Sequence, residues 1–453
     1  MSLRPAPGAL PAAARAHVRG PAGLPRLLSG LDPTGAPMTL AEHQAVHGPL
    51  PGLAGGELIA AVERSGLRGR GGADFPTAIK LRAVSGRRGA TALIVNGSET
   101  EPASAKDRLL LTRLPHLVLD GAVLAARAVG AGEAIVKLGD GTPAVVRALE
   151  GAIAIRPEEE IPVRVVVGPG GYVTGEETAV VRFLANGVAK PTFVPPRPYE
   201  RGHRGRPTLI QNPETLCQLA LIARFGADWF RELGSAADPG SALVTISGAV
   251  THPGVYELAF GTPMTDLLAA AGGPSEPLQA LLIGGYFGTW VQAERALALA
   301  LSREELRSVG CALGSGVLIA LGDSACGLHE SAGVIDYLAN QSAGQCGPCV
   351  HGLAAIADSV CALADGVAHE RELERLLRWT AEIRGRGACH HPDGAARFVE
   401  SALRVFGSEL ELHRRERCTA PSAGLPLAGA PSEVASAGAS RGASGGKSGG
   451  AQR

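Results

Sequence analysis

Apolar and polar positions follow two rhythms along the chain, and the changes of rhythm divide it. Glu57–Arg64 reads as a short helix. Ala92–Asn96 is a compact apolar run of strand length and predicts a buried strand. Leu117–Val129 then predicts a helix, Glu133–Leu138 a strand, Pro143–Ala154 a helix and Val163–Val167 a strand. Alternating β and α units predict a parallel sheet with crossover helices. From Ala242 the pattern shortens. ALVTISGAV alternates as a strand, THPG is a turn, VYEL is a second strand, and GTPMTDLLAAAGG is a short helix with Thr262 ahead of Pro263. Helical spacing returns from Gly327 to Arg417 and predicts four helices packed as a small bundle. Val399, Leu403, Phe406 and Leu410 fall on one helical face.

The polar punctuation carries the candidate chemistry. Gly66–Lys80 reads GLRGRGGADFPTAIK, with Gly69, Arg70, Gly71 and Gly72 at its centre. Glycines let backbone N–H groups approach a ligand closely. Asp74 predicts a helix cap and Pro76 a first turn, so the loop is expected to empty into a helix over Phe75–Val84. A helix N-terminus beside Arg68, Arg70 and Lys80 suits a phosphate-bearing guest; the plainer reading is a basic surface loop. Asn96–Arg108 (NGSETEPASAKDR) follows the first strand, and polar groups at the carboxyl end of a parallel strand are where α/β folds bind ligands. Its acids also suit the plainer task of capping the next helix. Gly168–Leu184 (GPGGYVTGEETAVVRFL) repeats the arrangement, a strand end opening through glycines into a helix.

Bulk composition narrows the field. The chain has 453 residues, 45% hydrophobic and 19% charged, with 43 basic and 43 acidic residues. That length predicts two to four domains. The neutral balance argues against a nucleic-acid partner. No apolar run is long enough to predict membrane insertion. The first acid is Asp32, and Pro5, Pro7, Pro11, Arg15 and Arg19 interrupt any secretory apolar core, so residues 1–40 read as a disordered leader. From Thr419 the tail is rich in Ser, Gly and Ala and is expected to be disordered. Eight cysteines in a chain of this size point to reduced thiols or metal ligands, not a disulfide framework.

The glycine loop, with its GLRGRGGA-x-FPT core, resembles the flavin loop of the NADH-binding flavoprotein subunit of respiratory complex I, in the family of NADH-quinone oxidoreductase F subunits. Asp74, Ala78 and Leu81 stand where the family has Gly, Gly and Trp. Asn96, Glu99, Glu101, Pro102, Lys106, Asp107 and Arg108 match its second motif, and Ser98 replaces an Asp that helps hold the flavin. Tyr172, Gly175, Glu176, Glu177 and Thr178 match a third, and Thr174 replaces a Cys. Lys190, Pro191 and Phe193 match a fourth, and Asn212, Glu214 and Thr215 a fifth, in which Gln211 replaces an Asn. The resemblance implies that Gly69, Arg70, Gly71, Gly72, Lys80, Asn96, Glu99, Gly175, Glu176, Asn212 and Thr215 bind FMN. It implies that Phe75, Glu101, Glu177, Lys190 and Phe193 serve NADH, with Lys80 shared between the two ligands, and that Tyr172 belongs to the same cofactor site. A further aromatic of that site is Ala83 here.

The implied fold is an α/β, Rossmann-like flavin domain over 41–240, then a β-grasp SLBB domain over 241–325. A four-helix bundle over 326–417 and a tail over 418–453 complete it. QSAGQCGPCVHG resembles the family's iron–sulfur motif: Cys346 and Cys349 are kept, Cys389 follows about 40 residues on, and the motif's first Cys is Ala343. A four-iron cluster normally takes four thiolates. Three imply a four-iron cluster completed by His351, His390, His391 or another group, or a three-iron form. The alternatives are a zinc site of three Cys and a His, and inert thiols. Cys217, Cys311, Cys326, Cys361 and Cys418 lack metal spacing and are expected to be core or surface thiols.

The expected function is electron transfer from NADH through FMN to the cluster. It would occur in a cytoplasmic protein, peripheral to a membrane complex, that works with other redox subunits or a ferredoxin. A degenerate paralogue that oxidises no NADH is the alternative.

Overall fold

The computed structural model describes residues 23–418 apart from 33, 88, 158–160 and 416. The tail expected from Thr419, and the first part of the expected leader, lie outside the described residues.

Four parallel strands form the first sheet: β1 (Thr91–Gly97), β2 (Ala131–Leu138), β3 (Val163–Val167) and β4 (Thr208–Gln211), in the order β3-β2-β1-β4. Their alternation explains the two-sided burial. Leu93, Val95, Ala134, Val136 and Leu209 face one core, with helices Gly55–Ser65, Pro115–Val129 and Pro213–Arg231. Ile94, Ile135 and Ile210 face the other, against Val180 of helix Glu177–Asn186. Both faces of a crossover-connected sheet are covered, so its strands read as continuous apolar runs. Gly121 permits the closest helix contact, because a Cβ there would stand 2.2 Å from the Leu216 carbonyl oxygen.

Residues 23–40 correct the leader expectation. Leu27 and Leu28 are buried, and the N–H groups of Arg26 and Leu28 donate to Glu257 Oε2 at 2.8 and 3.1 Å. Next to them, helix Leu40–His47 is anchored through a buried ion cluster. Asp120 meets His43 Nε2 and Arg156 Nη2, each at 2.7 Å, and Arg224.

The second sheet has five strands: β5 (Ser241–Gly248), β6 (Gly254–Ala259), β7 (Leu278–Ile283), β8 (Thr289–Gln292) and β9 (Val317–Gly322). Their order is β6-β5-β9-β7-β8. β5 and β6 form the expected antiparallel pair, and β5 and β9 run parallel.

The bundle has helices Gly327–Asn340, Pro348–Ala364 (its first turn wider than α), Glu372–Ile383 and His391–Val405, then a short fifth, Gly407–His413. The expected single face through Leu410 is broken at Phe406, whose φ of −105° ends the fourth helix. Phe406 turns into the space opposite Gly327, where a Cβ would lie 2.2 Å from its ring. One apolar core unites Tyr172 of the first domain, Tyr286 and Trp290 of the second, and the bundle. Among the described residues no single helix is long and apolar enough to cross a membrane.

Candidate functional site

The glycine loop folds back on itself. Gly69 N–H donates to Phe75 O at 2.8 Å and Thr77 N–H to Leu67 O at 3.0 Å. Its helix runs from Thr77 to Ser85 with Pro76 at the cap position, which corrects the capping role expected of Asp74. Asp74 has φ +47°, and its carboxylate is taken by Arg68 Nε at 2.9 Å. Arg70 turns inward instead of toward a ligand. Its backbone N–H donates to Thr215 Oγ1 at 2.9 Å, and its guanidinium donates to Ser241 O at 3.1 Å beside Glu214 and the Phe260 ring. The N–H groups of Gly71 and Gly72 find no protein acceptor among the described residues. Gly71 is also crowded, since a Cβ would stand 3.2 Å from Asn212 Cβ.

The acids after β1 divide by role. Glu99 caps helix Lys106–Arg113, accepting from Asp107 N and Arg108 N at 2.8 and 2.9 Å. Glu101 reaches the boundary between domains. It accepts from Tyr172 Oη and from Tyr286 N, each at 2.9 Å, and burial pushes its carboxyl up to about 7. Gly285 makes room for it, because a Cβ there would lie 2.5 Å from Glu101 Oε2. Glu176 caps helix Glu177–Asn186, accepting from Thr178 N and Ala179 N at 2.9 and 3.0 Å. Glu177 pairs with Lys80. Asn212 caps helix Pro213–Arg231 and donates to Asp107 Oδ2 at 2.6 Å.

The crest of the parallel sheet holds Lys137, which no motif included, and Gln211, which the motifs noted only as a replacement. Lys137, the last residue but one of β2, lies in register with Asn96 of β1, is fully buried, and donates to Ser98 Oγ at 3.0 Å. Burial lowers its ammonium to about 8. A lysine inside EAIVKL reads as a strand residue, and only the fold places it over the crevice side of Ser98. Gln211, across β1 on β4, has a buried Nε2 without a partner. Asn96 Nδ2 donates to Gly175 O at 2.7 Å. The unspent N–H groups of Gly71 and Gly72, which line an open cleft, fit an acceptor-rich guest such as a flavin phosphate.

The nucleotide rim is more open. Phe75 is half-exposed, Lys190 exposed, and Phe193 76% exposed. Their strap is nonetheless tied down. Thr192 N–H donates to Thr178 Oγ1 at 2.8 Å, and Gln345 Nε2 donates to Pro191 O at 2.9 Å.

Cys346, Cys349 and Cys389 come together between the bundle helices. Burial opposes ionisation at all three thiols, and backbone N–H groups oppose burial: Gly344 at Cys349, His391 at Cys389, Ala388 and Cys349 at Cys346. Burial wins at Cys349, pushed up to about 12, while the N–H donors win at Cys346, whose thiol falls below its ordinary range. Ala343, three residues before Cys346, is buried. Of the candidate fourth ligands, His390 is exposed, as is His351. His391 is buried, donates Nε2–H to Leu338 O at 2.8 Å, and keeps an unpartnered Nδ1. Three thiols with N–H donors around them fit a cluster. Among the described residues the one group drawn tightly enough for a single ion lies elsewhere, which counts against zinc at this triad. A cleft of about 520 Å³ runs from Gly71, Gly72 and Glu101, past Tyr172 and Glu176, to Cys389 and His391.

Residues 62–221 match the family model for the Nuo51 FMN-binding domain, 243–284 the SLBB domain, and 330–413 the NADH-ubiquinone oxidoreductase-F iron-sulfur binding region. The chain is 33% identical over 377 residues to the second NADH-quinone oxidoreductase F subunit of Rhizobium meliloti, covering 80% of this chain and 89% of that one. It belongs to the family of NADH-quinone oxidoreductase F subunits. The Escherichia coli member is 32% identical over 402 residues, 83% of this chain and 89% of its own. An NAD+-reducing [NiFe]-hydrogenase in the H2-reduced state superposes with a TM-score of 0.78 at 32% identity, covering 88% of this chain and 68% of that one. The α/β, SLBB and helical parts expected from the motifs are all present.

Proposed function

We propose that this chain oxidises NADH and delivers the electrons singly through an iron–sulfur cluster to another redox protein. One observation carries the reading: a single cleft is walled at one end by the free N–H groups of Gly71 and Gly72 and at the other by Cys389. Gly71, Gly72, Asn96, Lys137, Gly175 and Gln211 would hold FMN, and Cys346, Cys349 and Cys389 the cluster. When bound, the two groups convert a two-electron hydride donor into single electrons. The protein supplies orientation and charge. Lys137 presents a buried cation at the sheet crest, where added negative charge is stabilised. Glu101, near 7, holds its proton at the start of the physiological range and positions Tyr172 along the cleft. The relatives are named as subunits of larger oxidoreductases, and this chain is read as one component of such an assembly.

Anaerobic titration with NADH, followed by visible absorption and electron paramagnetic resonance, tests the proposal. Flavin bands should bleach, and a reduced-cluster signal should grow with them. Flavin that stays oxidised at every NADH concentration overturns it. A second reading, binding without NADH oxidation, draws on the rim: Lys80 is already paired with Glu177, Phe193 is exposed, and Ala83 offers no ring.

A further inference from the structure

We infer that the bundle carries a second metal centre, a structural zinc site built from Cys326, His329, His413 and Cys418. Spacing along the chain makes Cys326 and Cys418 ordinary thiols, and the fold overturns that. One donor atom from each of the four residues lies within 4.8 Å of the others. The pattern is Cys-x2-His at the start of the first bundle helix and His-x4-Cys at the end of the last. Two thiolates and two imidazoles in a tetrahedron are ordinary zinc chemistry, with bonds of about 2.3 Å to sulfur and about 2.0 Å to nitrogen. The observed spread needs only side-chain adjustment to reach that geometry.

Each donor is held as a ligand would be. Cys326 stands at the N-cap position of helix Gly327–Asn340, with the N–H groups of Leu328 and His329 beside its sulfur. Its thiol is hydrogen-bonded to that of Cys418 and lies 3.4 Å from His413 Nε2. His413 is buried, and its Nδ1–H donates to Ala364 O. A carbonyl at one ring nitrogen fixes the tautomer and turns the other nitrogen toward the metal. Glu409, 3.6 Å from that Nε2, is the partner a metal would displace. His329 Nδ1 is buried without a hydrogen-bond partner, while its Nε2 faces Asp365 at 3.9 Å. Two rings 4.9 Å apart, that of His413 anchored by the Ala364 carbonyl, thus offer ring nitrogens to two thiols. Binding releases the two thiol protons to solvent, and the resulting complex of Zn²⁺ with two thiolates is neutral, which suits a site with two of its four donors buried. Four donors this close surround one ion and leave no room for a polynuclear cluster.

Such a centre would tie the beginning of the bundle to its end. The thiols of the other triad lie between these two points in the chain.

The test is metal analysis of the full chain, purified anaerobically, with X-ray absorption at the zinc edge. About one zinc per chain, with two sulfur and two nitrogen scatterers, is expected. Cys418→Ser, at an exposed position, and His413→Ala should each lower zinc content at least about tenfold while iron stays unchanged. Cobalt supplied in place of zinc should show tetrahedral ligand-field bands in the wild type and lose them in Cys418→Ser. The inference is overturned by zinc-free protein after equilibration with excess zinc, or by zinc content that neither variant changes. A zinc shell of three or more sulfurs, or a Cys326–Cys418 disulfide with no metal, overturns it too. None of these outcomes bears on the flavin, so the failure of one proposal does not disguise the failure of the other.

Discussion

The two sulfur sites of the helical bundle differ in what they leave unsatisfied. Cys346, Cys349 and Cys389 lie loosely grouped at the end of a cleft, with buried Ala343 where a fourth ligand would stand and His391 Nδ1 unpartnered nearby. Cys326, His329, His413 and Cys418 are drawn to one point, and the Ala364 carbonyl orients the His413 ring. The open site shares its cleft with the glycine loop, which holds unspent donors of its own. The closed site joins the two ends of its own bundle, with Cys418 at the surface. A centre that exchanges electrons needs a neighbour and tolerates an incomplete shell, whereas one that clamps needs neither neighbour nor vacancy.

The largest effect should separate the two sites outright. Cys349→Ser is expected to abolish iron and leave zinc near one per chain, and Cys418→Ser to do the reverse, as read by metal analysis. Loss of both metals in either variant would erase the distinction. On the open side, Gly71→Val should weaken FMN binding by roughly a hundredfold, about 2.7 kcal/mol, because a side chain would occupy the approach beside Asn212. Calorimetry on apo-protein reads it, with zinc content as the unchanged control.

Lys137→Met should lower FMN affinity by about tenfold while leaving the apo-fold as stable or more so, since a buried cation with one hydroxyl partner is costly to keep. The sign follows from its position near 8, depressed from 10.5. The folded state favours the neutral amine, so stability present above the unfolded value is lost as pH falls toward 8. The variant should flatten that slope in thermal unfolding. Ala343→Cys should make the iron signal longer-lived in air, with little change in melting temperature; decay at the wild-type rate would show that the cluster's fourth position is already filled.

Glu101→Gln should have the smallest effect. The folded carboxyl sits near 7 against 4.5 unfolded, so its contribution is full below 4.5 and fades as pH rises through 7. Melting curves of the variant should lose that slope.

How legible these features were depends on how local they are. Pro143–Ala154 and Val163–Val167 were readable to the residue, because periodicity and length within one element decide them. Asp74 misled, because a cap residue looks the same whether its carboxylate turns to the helix or to Arg68. Arg70 was counted as ligand charge, and only the docking of β5 shows that its guanidinium belongs to the domain boundary. The continuous face through Leu410 failed at Phe406 for a similar reason, as its partner is Gly327 at the far end of the bundle. Cys326 and His413 stand 87 residues apart, and no spacing rule joins them before the helices pack.

The ties between the cysteine loop and the nucleotide strap carry one more consequence. Gln341 Oε1 accepts from Tyr172 N at 3.1 Å, and Gln345 joins Pro191 O to Arg182. The segment that orders around the triad is thus the segment that steadies Tyr172 and the backbone beside Lys190 and Phe193. Assembly of the metal and capture of the nucleotide share a scaffold, and free energy shared between two binding events is reciprocal. By whatever factor an assembled cluster tightens the hold on NADH, bound NADH tightens the hold on the cluster by the same factor at equilibrium, so a chain at work guards its own cofactor.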